Sequence, residues 1–435
     1  MSNRTTSNQC NLAALASLLV SSIAFAGDNL DAEFNPLLSS YEATKLSAGT
    51  RINSSNIASY RQWLDDSVAD LIADQALTLT LGPSLEIPIH PNYRKASEEN
   101  LYETAIGDAP GELLGYAGGR PFLKLESSDP QAGLKAAWNM RYSYAPDETE
   151  TEQFNWHYRD MRKDKIERTL KMYGAILRYK YRHTDKPIPA LANNPSNLYT
   201  ALYLQVKAPQ DIRNTQLLIH RNEVDSVTEQ AWMYMSSQRR VRRLATGQKT
   251  DAFLGSDIMI EDFLGYNGRI MDMDWQYLGS DELLLPIYGH SQLTSWQEPP
   301  DESGFQLIEF SGAGHCFPNV TWQLRKVHHL EAIPRDPSHP LSKRHYIIDA
   351  ATYAPLLSRI YDNADNLWKI SIAAASSSAL HRPESLAWQG LMTEAVGMID
   401  LQAEHCTTLQ LKSRIAITPL RNRQFTTQHM RSQGR

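Results

Sequence analysis

Between Thr151 and Leu411 the chain repeatedly sets an apolar or aromatic side chain at every second position, in short runs broken by Pro, Gly, Asn and Asp. Successive side chains of a strand point to opposite faces, so this alternation predicts half-buried strands in a mainly antiparallel sheet. Tyr173, Ala175, Leu177, Tyr179 and Tyr181 form one such series, Val320, Trp322 and Leu324 a second, and Trp368, Ile370 and Ile372 a third. One face of the sheet is therefore expected to be apolar and aromatic. Strands are expected near 152–160, 166–182, 199–208, 215–221, 229–236, 273–285, 319–332, 343–349, 355–361, 367–376, 393–401 and 405–411.

Residues before 151 read differently. Ile57, Tyr60, Trp63, Leu64, Val68, Leu71 and Ile72 recur at helical spacing and predict an amphipathic helix over 56–75, capped near Ser54 to Asn56. Shorter helices are expected at about 97–104 and 130–142, with a strand-like Leu77 to Leu81 between the first two. Helices first and strands afterwards predict an α+β fold with helices on one face of the sheet. The segment Asp257 to Leu264 reads as helix or loop, and Tyr288 to Phe317 as a long loop. The tail from Pro419 onward is polar, basic and free of acids, and is expected to be disordered.

The first 26 residues carry a polar start with Arg4, an apolar stretch from Leu12 to Phe25, and small residues at Ala24 and Ala26. That pattern predicts a signal peptide cleaved before Gly27, and its apolar stretch falls short of the ~20 residues of a spanning helix. No linker or repeat divides the remainder of the chain, so 27–415 is expected to be one domain, helix-rich over 27–150 and sheet over 151–415, with 416–435 as the basic tail. A net charge of -6 argues against a nucleic-acid partner, which would select a basic surface. Once a signal is removed, Cys316 and Cys406 remain, and in an oxidising compartment they suggest one disulfide, worth about 4 kcal/mol in the chain-entropy model. Two separately buried thiols are the alternative. Two cysteines without spaced histidines do not complete a zinc site.

Catalytic patterns are weak. Gly289-His290-Ser291 lacks the closing glycine of a nucleophile elbow, and Ser256, Asp257 and His315 have nothing in the sequence to bring them together. Gly115 to Pro121 lacks the Lys-Ser or Lys-Thr of a phosphate loop. His328 and His329 are neighbours on a strand and face opposite ways. Asp272 and Asp274 share a face but offer too few oxygens for a cation. Arg239, Arg240, Arg242 and Arg243 are either a solvated hairpin rim or a site for an anion or an acidic partner. Trp138, Trp232, Tyr234, Trp275, Trp322 and Trp368 either fill a closed core or line a concavity for a lipid-like ligand.

Several motifs carry a family likeness: Gln230 to Tyr234 leading into Arg239-Arg240-Val241-Arg242-Arg243, then Asp262-Phe263-Leu264-Gly265-Tyr266-Asn267-Gly268. Gly118 to Phe122, Ala137-Trp138-Asn139 with Arg141-Tyr142, Met273-Asp274-Trp275 with Leu278-Gly279, and Tyr361-Asp362 with Leu367-Trp368-Lys369 extend it. Together they resemble the bacterial domain of unknown function 1329, from about residue 40 to 411. That family is similar to the lipoprotein carriers LolA and LolB, so the resemblance implies a strongly curved, incomplete antiparallel barrel with helices plugging its hollow. It also implies a Gram-negative periplasmic protein, no enzyme activity and no cofactor. The implied partners are a lipid-like molecule, an efflux pump of the resistance-nodulation-division type and an outer-membrane protein. The chain departs from the pattern at Pro121-Phe122-Leu123 and in its basic tail. Two readings stand side by side: a carrier whose helix at 56–75 acts as plug or lid, or an adaptor with a solid core whose arginine cluster binds a partner.

Overall fold

The computed structural model describes residues 31–36, 46–289, 302, 305–377, 388, 390–415 and 418–434. The expected signal segment and, within the expected loop Tyr288 to Phe317, residues 290–301 (His290 and Ser291 included) and 303–304 lie outside them. The main strands are β1 (Glu148–Asp160), β2 (Lys165–Arg178), β3 (Leu198–Ala208), β4 (Gln216–Asn222), β5 (Gln230–Met235), β6 (Arg240–Arg243) and β7 (Met273–Leu285). They continue as β8 (Thr321–Pro334), β9 (Leu341–Asp349), β10 (Pro355–Asp362), β11 (Leu367–Ser377), β12 (Leu391–Asp400) and β13 (His405–Ile415). Each long alternating run has become a strand, because β-branched and aromatic residues at period two suit a sheet with both faces covered.

Across the sheet the order is β7, β8, β9, β10, β11, β12, β13, β1, β2, β3, β4, β5, β6, and each of these pairs is antiparallel. The last strand, β13, lies beside the first, β1, which joins two meanders into one sheet. The edges β6 and β7 do not pair with one another among the described residues, so the barrel is incomplete. Register shifts within β1, β11 and β13 are bulges, which increase local twist and help bend so wide a sheet.

The convex face is covered by the two ends of the chain. Over β9 to β13, Ile347, Leu357, Ile370, Ile372, Ala395 and Ile399 meet Val68, Ala69 and Ile72 of helix α1 (Asp66–Ala73), together with Leu79, Phe317 and Trp322. Asp65 caps α1 by accepting from Ser67 N at 3.0 Å. The disulfide Cys316–Cys406, with Cα atoms 6.0 Å apart and a sequence separation of 90, ties this layer to β13. Gly397 lets it approach, since a Cβ there would strike the Cys316 carbonyl. Over β2 to β5, Leu177, Tyr179, Tyr203, Leu218 and Tyr234 are covered by Phe425 and Met430, both buried.

Three expectations are corrected here. The region 56–75 is two single 3-10 turns, Ile57–Ser59 and Arg61–Trp63, followed by the shorter α1, because Asp65 starts the helix and Leu64 is extended. It packs on the convex face and is no lid over a hollow. Residues 418–434 of the expected disordered tail are structured: a 3-10 turn at Asn422–Phe425 leads into a helix, Thr427–Gln433, and Leu420, Phe425 and Met430 pack on the sheet. Finally, Arg240–Arg243 is a strand, where the sequence suggests only a hairpin end.

On the concave side, helix α2 (Pro91–Glu103) and helix α3 (Ala132–Arg141) close part of the opening. Gly133 of α3 lies against the Trp275 carbonyl of β7, a closeness that a side chain would forbid. Trp138, Met140 and Tyr142 thereby pack on Leu330, Tyr346 and Ile348.

Candidate functional site

Between the concave face and its cover lies a cavity of about 390 Å3. Most of its floor consists of strand positions opposite in parity to the convex core. These include Phe154 and Trp156 of β1, Leu202 and Leu204 of β3, Val396 and Met398 of β12, and Leu409 and Leu411 of β13. Its roof is the segment between β6 and β7, from which Ile258, Phe263, Leu264, Tyr266 and Ile270 contribute. This segment is the main plug, with Met140 and Arg141 at the end of α3 beside it: Phe253, Ile258, Met259 and Ile260 sit against Trp156, Leu170, Met172, Leu217 and Ile219. A largely apolar hollow of this size falls within the range of about 300–1,000 Å3 typical of small-molecule sites.

Polar latches hold the plug at three points. Near its start, Asp257 Oδ2 accepts from Thr407 Oγ1 at 2.6 Å and meets His405 Nδ1 at 2.8 Å, while Lys369 Nζ donates to the Asp257 carbonyl at 2.7 Å. The hydrogen bond to Asp257 raises the pKa of His405. In the middle, Arg344 pairs with Glu261 at 2.6 Å and Asp262 at 2.8 Å, and Glu261 also faces His339 at 3.0 Å and Lys249 at 3.1 Å. Burial alone would raise the pKa of Glu261, but the Arg344 charge, the His339 hydrogen bond and Lys249 hold it well below the usual carboxylate range. At the far end, Arg221 donates to Asn267 Oδ1 at 2.6 Å, and Arg141 donates to the Gly268 carbonyl at 2.5 Å.

Four buried arginines line the cavity, and they are not equivalent. Arg344 has the two carboxylates just described, Arg141 has Asp225 at 3.1 Å, and Arg221 has Glu229 at 2.9 Å. Arg178, at the end of β2, has only Asp147 at 3.8 Å, with His183 Nδ1 at 3.3 Å from its Nη1. The Asp147 Oδ2 accepts from the backbone N–H groups of His183, Thr184 and Asp185 and from the Thr184 hydroxyl, while its Oδ1, the atom nearest Arg178, lies 3.5 Å from His183 Nδ1 and makes no hydrogen bond among the described residues.

The aromatic residues singled out from the sequence stand elsewhere. Trp138 stacks on Tyr142 with ring centres 5.8 Å apart, and Trp275 donates to the Ile270 carbonyl at 2.8 Å, so both brace the cover from behind. Tyr234 lies under the tail and donates to the Gly434 carbonyl at 2.7 Å, with Trp232 beside it on the convex face. Trp322 belongs to the other convex layer, and Trp368 sits at the rim with its indole N–H on Asp400 at 2.8 Å. None of the six lines the cavity. The aromatics that do are Tyr144, Phe154, Trp156, Tyr199, Phe263, Tyr266 and Tyr346. Arg239, Arg240, Arg242 and Arg243 are exposed at the free sheet edge and make no ion pair among the described residues. Such charges on an edge strand also discourage pairing with other chains.

Ser256 and His315 form no catalytic pair: the serine hydroxyl donates to the Phe253 carbonyl at 2.8 Å, and His315 lies 3.1 Å from the Phe310 carbonyl. His328 and His329 do diverge, to Tyr277 at 3.0 Å and to His345 at 3.0 Å. Asp272 is held by Arg269 and Lys249, and Asp274 by Arg335. Among the described residues no helix is long and apolar enough to cross a membrane.

A curved open sheet closed over an apolar hollow defines an incomplete-barrel protein, and the family model for the protein of unknown function DUF1329 matches residues 51–431. The chain belongs to that family. It is 25% identical over 315 residues to an uncharacterized protein of Pseudomonas aeruginosa, covering 67% of this chain and 62% of that one. The chain thus spans less than two thirds of the length of that relative. Among solved structures, a putative outer membrane lipoprotein-sorting protein domain from Vibrio parahaemolyticus aligns at 16% identity and a TM-score of 0.48. A DUF1329 family protein from Desulfovibrio piger aligns at 14% identity and a TM-score of 0.47. Each alignment covers 70% of this chain and 100% of the other.

Proposed function

We propose that the protein is a periplasmic carrier or chaperone that shelters one hydrophobic, lipid-like molecule between its concave sheet and the 253–270 plug. The observation that carries this reading is the largely apolar cavity of about 390 Å3 between the concave sheet and the 253–270 segment. Burying an acyl chain contributes roughly 0.8 kcal/mol per methylene, so retention needs a dry hollow and release needs the roof to move. A working link to an envelope efflux pump and an outer-membrane protein belongs to the same proposal. We assign no catalytic residue and no cofactor.

Filling the hollow tests the reading. Leu202→Trp combined with Val396→Phe is expected to weaken binding of a fluorescent fatty-acyl probe by about tenfold or more, which requires losing burial of only about two methylenes. Melting temperature should stay close to that of the parent. Unchanged probe binding by the filled variant would show that the cavity is not the site.

A second reading, an adaptor between inner- and outer-membrane components, has one observation in its favour: among the described residues, Arg239 to Arg243 stand without ion pairs on an open edge. Such a contact would weaken as salt rises.

A further inference from the structure

The cavity has a polar end, and it is built for charge. In register, Arg178 of β2 lies directly across from Thr200 of β3, while Thr149 of β1 lies opposite Ile176, diagonal to Arg178. All of these line the hollow, as does Ser143 just beyond α3. Among the described residues the hydroxyls of Ser143, Thr149 and Thr200 have no hydrogen-bond partner. Arg178, only 7% exposed, places one of its five N–H donors near an acceptor, the His183 ring. Donors of this kind beside a cavity call for acceptors, supplied by a ligand or by water. Away from this end the floor turns apolar, through Ile176, Leu202 and Leu204 to Trp156, Leu409 and Met398.

We infer that the ligand is a single-chain amphiphile with a carboxylate head, its carboxylate held by the Arg178 guanidinium and the neighbouring Thr200 hydroxyl, and its chain laid along the β1 to β3 floor. The inference rests on the carrier reading and specifies its ligand. A guanidinium fork matches a carboxylate in two parallel hydrogen bonds. Charge favours a monoanion: the other three arginines are neutralised at 3.1 Å or less, so only one cation is poorly matched. A dianionic phosphate would bring surplus charge into a dry site, with the Asp147 carboxylate 3.8 Å from the same arginine. Size agrees with one chain. Taking a methylene as roughly the ~30 Å3 share of a water, the hollow holds on the order of a dozen.

Equilibrium binding of dodecanoate, 1-dodecanol and dodecyl phosphate at pH 8 tests this with chains of equal length. Wild type is expected to bind dodecanoate about tenfold or more tighter than the alcohol, the size of a charged hydrogen-bond pair. In Arg178→Gln the preference should collapse toward unity while dodecanol binding is kept, and Arg178→Lys should restore part of it. Equal wild-type affinity for acid and alcohol would overturn the head-group assignment and leave the carrier reading standing. Tightest binding of dodecyl phosphate would overturn the choice of carboxylate. If none of the three binds, the carrier reading fails along with the inference. Should Arg178→Gln not fold, the wild-type ratio still decides, and Thr200→Val is expected to lower it about threefold to tenfold, one neutral hydrogen bond's worth.

Discussion

Replacing Arg344 with alanine is expected to destabilise the protein by about 3–5 kcal/mol, the cost of leaving buried charges without their partner. Arg344 is 1% exposed, and it neutralises Glu261 and Asp262 beneath the middle of the plug. Without it, Lys249 and His339 still face Glu261, but Asp262 loses its cation. The damage should be local first. Hydrogen exchange is expected to quicken across residues 253–267 before it does in β10 to β13, because the latch joins plug to sheet and not strand to strand. Arg344→Met combined with Glu261→Met and Asp262→Asn should recover a large part of the loss, since buried charges removed together cost far less than one left without its partner, and the amide oxygen at position 262 can still accept from the Met259 N–H. Equal exchange across plug and sheet in Arg344→Ala would show that the pair does not fasten the roof.

Acid is the second lever. His183 is lowered to about 4, and His328 and His345 to about 3, mainly by burial, with Arg178, Arg120 and Arg359 respectively adding repulsion. Burial also lowers His157, His220 and His329. These groups stay neutral in the folded protein while the unfolded chain takes up protons near pH 6.5. Their stabilisation is therefore complete above about 6.5 and declines as pH falls, by roughly 1.4 kcal/mol per pH unit for each fully affected histidine. His405 works the other way: with its pKa raised, it adds stability below about 6.5 that is lost as pH climbs through its folded value. Carboxylates with depressed pKa values, Glu261 and Asp349 among them, add a further loss below about 4.5. Denaturant midpoints should change little between pH 7.5 and 6.5 and fall from there to 4.5, and that fall should flatten when His183, His328 and His345 are replaced by Gln. A flat profile in the parent would mean that these rings reach water.

The strands are legible in the sequence because period-two alternation survives in every long run, and the disulfide because two cysteines are left to pair. The location of the site is not. Tyr173, Ala175, Leu177 and Tyr179, the most regular apolar series, face the convex side and are covered by Phe425 and Met430. Trp322, Ile370 and Ile372 likewise lie under the N-terminal layer. Alternation separates two faces without saying which one is concave. Aromatics stand in the solid layers and around the hollow alike, and the hollow's floor also carries small or polar residues such as Gly174, Thr200, Ser371 and Ser413, so residue type does not mark the site. Arg178 is visible in the sequence only as a polar alternate on a strand. Asp257 to Leu264 reads there as helix or loop with no role, because its hold on the sheet comes from partners such as Thr407, Arg344 and Arg221 that are distant in sequence.

The central claim, that the concave hollow holds a guest, is tested most directly by purifying the protein from its own cellular compartment without detergent, extracting it with organic solvent and weighing what emerges by mass spectrometry. The account predicts about one hydrophobic molecule per chain, absent from the filled variant Leu202→Trp/Val396→Phe. Repeated recovery of protein with no stoichiometric hydrophobic molecule would contradict it.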